Sequence, residues 1–307
     1  MDQMAIPPRP IPSSGSFAAM LLLALMWGVS IPITKLGLLS LPPLTLTALR
    51  FAIAVPLMFV FALGRQRLPL RALPRLAALG LLGIGVGQVA QTFGVAGTSA
   101  SVGTIISATI PIFVVMFAAA RLRQPVSRLQ MQGLAAAFAG IALVASGRGE
   151  AGTPSQTSLG GAALVLLSAV TIAFYYVWSV ELTERYGMAP VAAWSTFFGF
   201  VSLIPWAAWE VRQMPIQATA AGIGSAAYLG VVVTVAGLFL WIHLLRTVPA
   251  RIAAGIQYLQ PVVGVAAASA MFGDALGLLF VLGVVLVLGG LALTVTTPRG
   301  REAAAAP

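Results

Sequence analysis

Long apolar runs separated by short polar, turn-forming segments set the pattern of this chain. A helix needs about 20 apolar residues to cross the hydrocarbon of a bilayer. Ten such runs follow one another, at 17–35, 43–63, 73–95, 98–121, 128–147, 158–181, 189–210, 218–245, 248–272 and 276–296. Each predicts a membrane-spanning helix, so the expected fold is all-α. The stretch after Ser16 has little positive charge before it and nine similar stretches after it, and it reads as a first span rather than a cleaved signal peptide. The segment 147–158 breaks the rhythm: it is polar and turn-rich, and it divides the runs into two sets of five.

The two sets are related. A shift of 150 positions places Leu79-Gly80 on Leu229-Gly230 and then, without a gap, Gly87 on Gly237, Ile106 on Ile256, Pro111 on Pro261, Gly133 on Gly283 and Gly140 on Gly290. With an odd number of spans per repeat, the second half is expected to lie inverted relative to the first, a construction used by secondary transporters with a substrate site near the midplane. The expected organisation is a tail at 1–16, a first five-helix repeat at 17–147, a linker at 148–157, an inverted five-helix repeat at 158–296 and a tail at 297–307.

Charge agrees with this reading. The arginine groups Arg65/Arg67/Arg71/Arg75, Arg121/Arg123/Arg128, Arg246/Arg251 and Arg299/Arg301 fall on one side of the predicted membrane, and the other side holds only Lys35, Arg148 and Arg212. By the positive-inside rule both termini are expected in the cytoplasm of a bacterial inner-membrane protein. Basic residues also change sides between matching loops: Arg121, Arg123 and Arg128 match Met271, Gly273 and Leu278, while Ala96 and Ser101 match Arg246 and Arg251.

Composition narrows the function. Only 8% of residues are charged and 59% are hydrophobic, far from the roughly one quarter charged that soluble domains carry. The net charge of +10 is spread between apolar runs rather than gathered into a patch, which points to lipid headgroups and away from nucleic acid. The chain has no cysteine and one histidine. No nucleophile–base pair or paired acids lie in the spans, since all seven carboxylates (Asp2, Glu150, Glu181, Glu184, Glu210, Asp274, Glu302) sit in tails, loops or span ends. An enzyme is therefore not expected, and no cofactor or metal is implied. No ATP-binding Gly-x-x-x-x-Gly-Lys motif occurs, and neither a ring of charge nor a carbonyl filter marks a channel.

Trp27-Gly28 followed by Lys35, Pro42-Pro43 leading to Arg50, and the paired Pro111 and Pro261 together resemble the EamA-type exporters of the drug/metabolite transporter superfamily, over nearly the whole chain. Among them the chain resembles the YddG-type exporters of aromatic and other neutral amino acids. The resemblance implies ten helices, with spans 1, 3, 4, 6, 8 and 9 around a central cavity and spans 5 and 10 bracing the back. The second half is richer in aromatics at the implied cavity positions, so substrate preference does not carry over residue by residue.

Polar and aromatic residues within the spans supply the candidate site. They are Trp27 in span 1, Gln88 and Gln91 in span 3, Ser107 in span 4, Tyr175 and Trp178 in span 6, Trp241 and His243 in span 8, and Gln257 and Tyr258 in span 9. Uncharged amides and rings suit a small zwitterion with an apolar or aromatic side chain; interhelical hydrogen bonding is the structural alternative for the amides and hydroxyls. Trp206 and Trp209 read as membrane-interface residues. Arg50 lies roughly 10 Å into span 2 at 1.5 Å per residue. Either it snorkels outward, or with Lys35 it attracts a substrate carboxylate, gates the pathway, or binds helix-end carbonyls. Pro111 and Pro261 are candidate hinges or kinks. His243 is a candidate proton switch or a neutral hydrogen-bonding residue. The expected function is export of small neutral metabolites, foremost amino acids, by facilitated diffusion. Proton coupling and carriage of an anion such as a nucleotide-sugar are the alternatives. The implied partners are the small-molecule substrate and the lipid bilayer, with no nucleic acid; the oligomeric state is left open, a monomer being compatible.

Overall fold

The computed structural model describes residues 14–62, 68–122, 127–146, 158–214, 216–247, 250–274 and 276–295. All regular structure among the described residues is helical: α1 (Ser14–Gly28), α2 (Ser30–Gly37), α3 (Pro43–Ala62), α4 (Leu73–Leu79), α5 (Gly87–Ala96), α6 (Ala100–Ser107), α7 (Ile110–Leu122), α8 (Arg128–Ser146), α9 (Leu159–Tyr186), α10 (Met188–Gln213), α11 (Ala220–Ala227), α12 (Gly237–Thr247), α13 (Ala250–Phe272) and α14 (Leu278–Val295). Eight continuous rods of these helices are long and apolar enough to cross a membrane, and shorter apolar stretches lie at Leu259–Phe272 and Leu278–Leu293.

Four of the expected spans are interrupted, for identifiable backbone reasons. Proline lacks an N–H and crowds the carbonyl four residues earlier. Pro32 thus leaves the Gly28 carbonyl without its helical donor, and α1 gives way to α2 at Val29 (φ −80°, ψ 0°). Pro111 does the same to Ser107, where α6 ends before α7 begins. Its repeat partner Pro261 lies inside the continuous α13. The other two interruptions are π-helical: Gly80–Val86 joins α4 to α5, and Tyr228–Ala236 joins α11 to α12. The segments close at Gly87 and Gly237, positions matched by the sequence repeat, whose N–H groups reach back to the carbonyls of Leu82 and Val232, one residue further than in an α-helix. Inserted π turns of this kind occur often at functional sites.

The helices pair across the two halves of the sequence. α3 lies on α10, α8 on α14, α5 and its π segment on α9, α6 and α7 on α9, and α1 on α12 and α13. The α8–α14 contact is backbone to backbone. A Cβ at Gly140 would lie 2.6 Å from the Gly283 carbonyl oxygen, and one at Gly283 would lie 2.6 Å from the Val144 side chain. Without a hydrophobic drive between helices in lipid, close approach of this kind holds them together. Gly140→Leu is expected to separate the pair, costing about 1–3 kcal/mol or more by overpacking, and size-exclusion yield and thermal unfolding in detergent measure the loss. The turn from α9 into α10 is a single residue, Gly187 at φ +83°, a conformation that side-chain-bearing residues rarely adopt.

One end of the bundle, where α3 and α6 begin and α5 finishes, is tied by three charged side chains. Glu210 at the end of α10 is only 4% exposed; its carboxylate accepts from the backbone N–H groups of Leu44 (3.2 Å) and Thr45 (2.7 Å) and from the Thr45 hydroxyl (2.9 Å). Asp274, between α13 and α14, accepts from the Ser101 N–H at 2.8 Å. Each anion thus meets the unpaired N–H groups of a helix N-terminus, the positive end of its dipole. Lys35 does the reverse at the C-terminal end of α5, donating to the carbonyls of Val95 (3.0 Å), Ala96 (3.1 Å) and Thr98 (2.6 Å).

Candidate substrate site

The interior polar site centres on Arg50. α3 carries it between the two π-interrupted rods. Its Nε donates to Thr234 Oγ1 (3.0 Å) in the second π segment, and its Nη1 donates to Gln88 Oε1 (2.9 Å) in α5. Thr234 in turn donates to the Leu229 carbonyl, five residues back, at 2.7 Å. Gly230 admits the close approach of the two backbones, since a Cβ there would lie 2.7 Å from the Arg50 carbonyl oxygen. Below Gln88, Thr92 donates to the Gln88 carbonyl (2.9 Å) and accepts from Thr47 (2.9 Å). The guanidinium sits 5.2 Å from the Phe51 ring centroid. Arg50 therefore does not snorkel outward; neutral side chains from both halves hold it inside the bundle. Two of its five N–H donors are used in these contacts, and no carboxylate meets it among the described residues.

Tyr176, well inside α9 and 49% exposed, lies close enough to Arg50 for the two to interact electrostatically. Its neighbour Tyr175 is the residue expected at the site from the sequence. Tyr175 is turned toward α10, where its hydroxyl is 2.9 Å from Ser195 Oγ, and its Cβ packs against Gly83. Trp178 packs among aromatic neighbours. It stacks on Phe174 (centroids 4.2 Å, 21°), meets Phe117 edge-on at 5.7 Å, and carries the Arg121 guanidinium 5.4 Å over its ring. Tyr176 and Thr234 carry no repeat signal, because their matches are Met26 and Ile84; only the side-chain direction singles them out.

Trp27 and Trp241 form a pair with centroids 6.0 Å apart. The Trp27 indole N–H donates to the Val233 carbonyl at 3.0 Å, the carbonyl that the Gly237 N–H passes over in reaching Val232. The π turn thus creates the acceptor that fixes the tryptophan. Gln91 is half-buried, a turn beyond Gln88 on the same side of α5. Ser107 Oγ and Gln260 Nε2 are buried without a hydrogen-bond partner. Thr104 packs on Gly264 while Ser101 meets Asp274, so α6 and α13 run antiparallel and bring Ser107 and Gln260 to one level, beside the helix break before Pro111. Gln257 and Tyr258 belong to α13, and their side chains lie outside the described residues.

Lys35 has its three ammonium donors on the carbonyls of Val95, Ala96 and Thr98, the helix-end contact that is one of its expected roles. Lys35→Met is expected to lower the thermal midpoint without changing the KM of transport; a raised KM would return Lys35 to the pathway. His243 is exposed and lines a cleft of 410 Å³ between the α9–α10 turn and α12, with Glu184, Arg185 and Phe239. That places it at an end of the bundle rather than beside Arg50. Trp206 and Trp209, 63% and 58% exposed, take the outward-facing positions expected of interface residues.

Apolar rods enclosing a charged, hydrogen-bonded interior site define a multi-pass membrane protein. The chain belongs to the EamA-like transporter family, which matches residues 14–146 and again 159–296. It is 29% identical to the uncharacterized inner membrane transporter YedA of Escherichia coli K12, over 85% of this chain and 84% of that protein. It is 28% identical to a probable terminal-alkyne amino-acid exporter of Streptantibioticus cattleyicolor, over 92% of this chain and 94% of that one. A crystal structure 18% identical in sequence shares the fold with a TM-score of 0.60, over 92% of this chain and 96% of the other.

Proposed function

We propose that this transporter exports small neutral metabolites, foremost amino acids with aromatic or apolar side chains, across a bacterial inner membrane by alternating access of two inverted five-helix halves. The observation that carries the reading is Arg50, held in the interior by Gln88 and Thr234 and within electrostatic reach of Tyr176. A guanidinium with unused donors offers a paired, charge-assisted contact to a carboxylate, and Tyr176, Trp27 and Trp241 offer apolar surface for a side chain. The amino-acid exporter among its relatives points the same way.

Several features support two inverted halves working against each other. The π segments end at repeat-matched glycines, and helices from the two halves pair with each other: α3 with α10, α8 with α14. The charge distribution along the sequence supports ten spans with both termini in the cytoplasm. The caps by Glu210, Asp274 and Lys35 then close the outer end, and the cleft at His243 lies toward the cytoplasm. No acidic residue lies in the interior of a span, which favours facilitated diffusion down the metabolite's own gradient.

The test is uptake of labelled phenylalanine, leucine and tryptophan into liposomes holding the purified protein, with and without a proton gradient. Saturable uptake without a gradient is expected. Uptake only with a gradient would replace facilitated diffusion by proton coupling, with His243 as the first group to substitute. Absence of uptake for every amino acid would overturn the substrate assignment.

A further inference from the structure

Among the described residues, the interior of the bundle carries one full charge, and it is positive. The acidic side chains among those residues are engaged elsewhere. Glu210 and Asp274 are spent on helix N-termini, Glu181 meets Arg75 at 3.9 Å and Arg121 at 3.2 Å, and Glu184 lines the cleft at the bundle end. Asp2, Glu150 and Glu302 belong to the tails and the linker of the sequence. An amino acid entering this site would therefore find a cation for its carboxylate and no anion for its ammonium group.

We infer that the carboxylate is the recognised group and the α-ammonium is dispensable, so that the site takes organic monocarboxylates with an apolar or aromatic body, of which neutral amino acids are one kind. This rests on the reading of Arg50 as the substrate-binding group. The physical asymmetry is large. Hydrogen bonds between ionised partners are roughly twice as strong as neutral ones, and a guanidinium enclosed by neutral partners leaves a desolvated positive charge that an arriving carboxylate neutralises. For the ammonium, the interior offers only neutral acceptors. These include the Ser107 hydroxyl, and the Ser107 carbonyl that Pro111 deprives of its helical donor. An ammonium loses its hydration on entry and regains only dipoles, so removing it costs the complex little. The rings of Tyr176, Trp27 and Trp241 offer dispersion and stacking to the apolar body of an amino acid and of its des-amino analogue alike.

The deciding experiment compares three ligands that share a phenyl ring on a two-carbon unit, on the purified full chain: L-phenylalanine, 3-phenylpropanoate and phenethylamine. Binding is read by titration calorimetry in detergent, which removes passive leak of the weak acid and weak base through lipid. Phenylpropanoate is expected to bind within about threefold of phenylalanine, and phenethylamine at least about tenfold more weakly than either. Arg50→Gln is expected to weaken the two carboxylates by that same factor or more and to leave phenethylamine unchanged. Binding of phenylalanine and phenethylamine without phenylpropanoate would overturn the inference and leave the amino-acid reading standing. Binding of phenylpropanoate without phenylalanine would overturn the amino-acid reading and leave the inference standing. Should Arg50→Gln fail to fold, the ligand series on the unmodified protein decides alone.

Discussion

Arg50→Ala should abolish saturable transport while the protein still reaches the membrane. The side chain spans three elements, since α3 carries it, α5 receives it through Gln88, and the second π segment receives it through Thr234. Hydrogen bonds to charged groups contribute about 1.5–3 kcal/mol each, so losing the contact to a substrate carboxylate reduces affinity by roughly 10- to 150-fold. The fold should survive, because the groups left behind are neutral and Thr234 keeps its own bond to the Leu229 carbonyl. Arg50→Lys separates charge from geometry. Lysine restores the positive charge but not the planar, two-pronged donor set, and partial recovery of kcat/KM is expected. Full activity in Arg50→Ala would remove Arg50 from the transport path.

Glu210→Ala should be the most destabilising single change at the capped end of the bundle. The carboxylate accepts three hydrogen bonds at the start of α3 and is almost fully buried. Alanine leaves two helix N–H groups and a hydroxyl without partners and removes an anion from the positive end of a helix dipole. By the cost of losing charged hydrogen bonds and a helix cap, the loss is about 3 kcal/mol. Glu210→Gln keeps a carbonyl acceptor and should lose less. Thermal unfolding in detergent orders the three proteins. A Glu210→Ala midpoint equal to that of the unmodified protein would show that the cap contributes nothing to stability. Because Glu210 follows the linker and α3 precedes it, the same bond ties the two halves together at this end. A change in the accessibility of a label placed beside Leu44 would report whether the end loosens.

The two changes separate two kinds of polar residue that look alike along the chain. Gln88 and Tyr175 both sit a few turns into an apolar helix, and both suggest a wet cavity. Gln88 does meet Arg50, whereas Tyr175 spends its hydroxyl on Ser195. Glu210 and Asp274 read as span-end charges with no assigned role, yet they cap α3 and α6. Lys35 had three open roles, and its ammonium meets three carbonyls at the end of α5.

The sequence by itself determined the all-helical membrane character, the positions of the rods and the match between its halves. These depend on local quantities: the length of apolar runs, the spacing of glycines, and prolines that remove a defined N–H. The breaks at Val29 and after Ser107 follow from Pro32 and Pro111 by that same local rule. What only the tertiary structure decided is direction and partnership. Whether Tyr175 or Tyr176 comes within electrostatic reach of Arg50 depends on how α9 is rotated against Gly83 and Ser195, and that rotation is set by packing between distant segments. The π turns that present Thr234 to Arg50 and the Val233 carbonyl to Trp27 add one residue to a helical turn, which leaves hydrophobic periodicity almost unchanged. They become visible only when a side chain from another helix takes up the group they release.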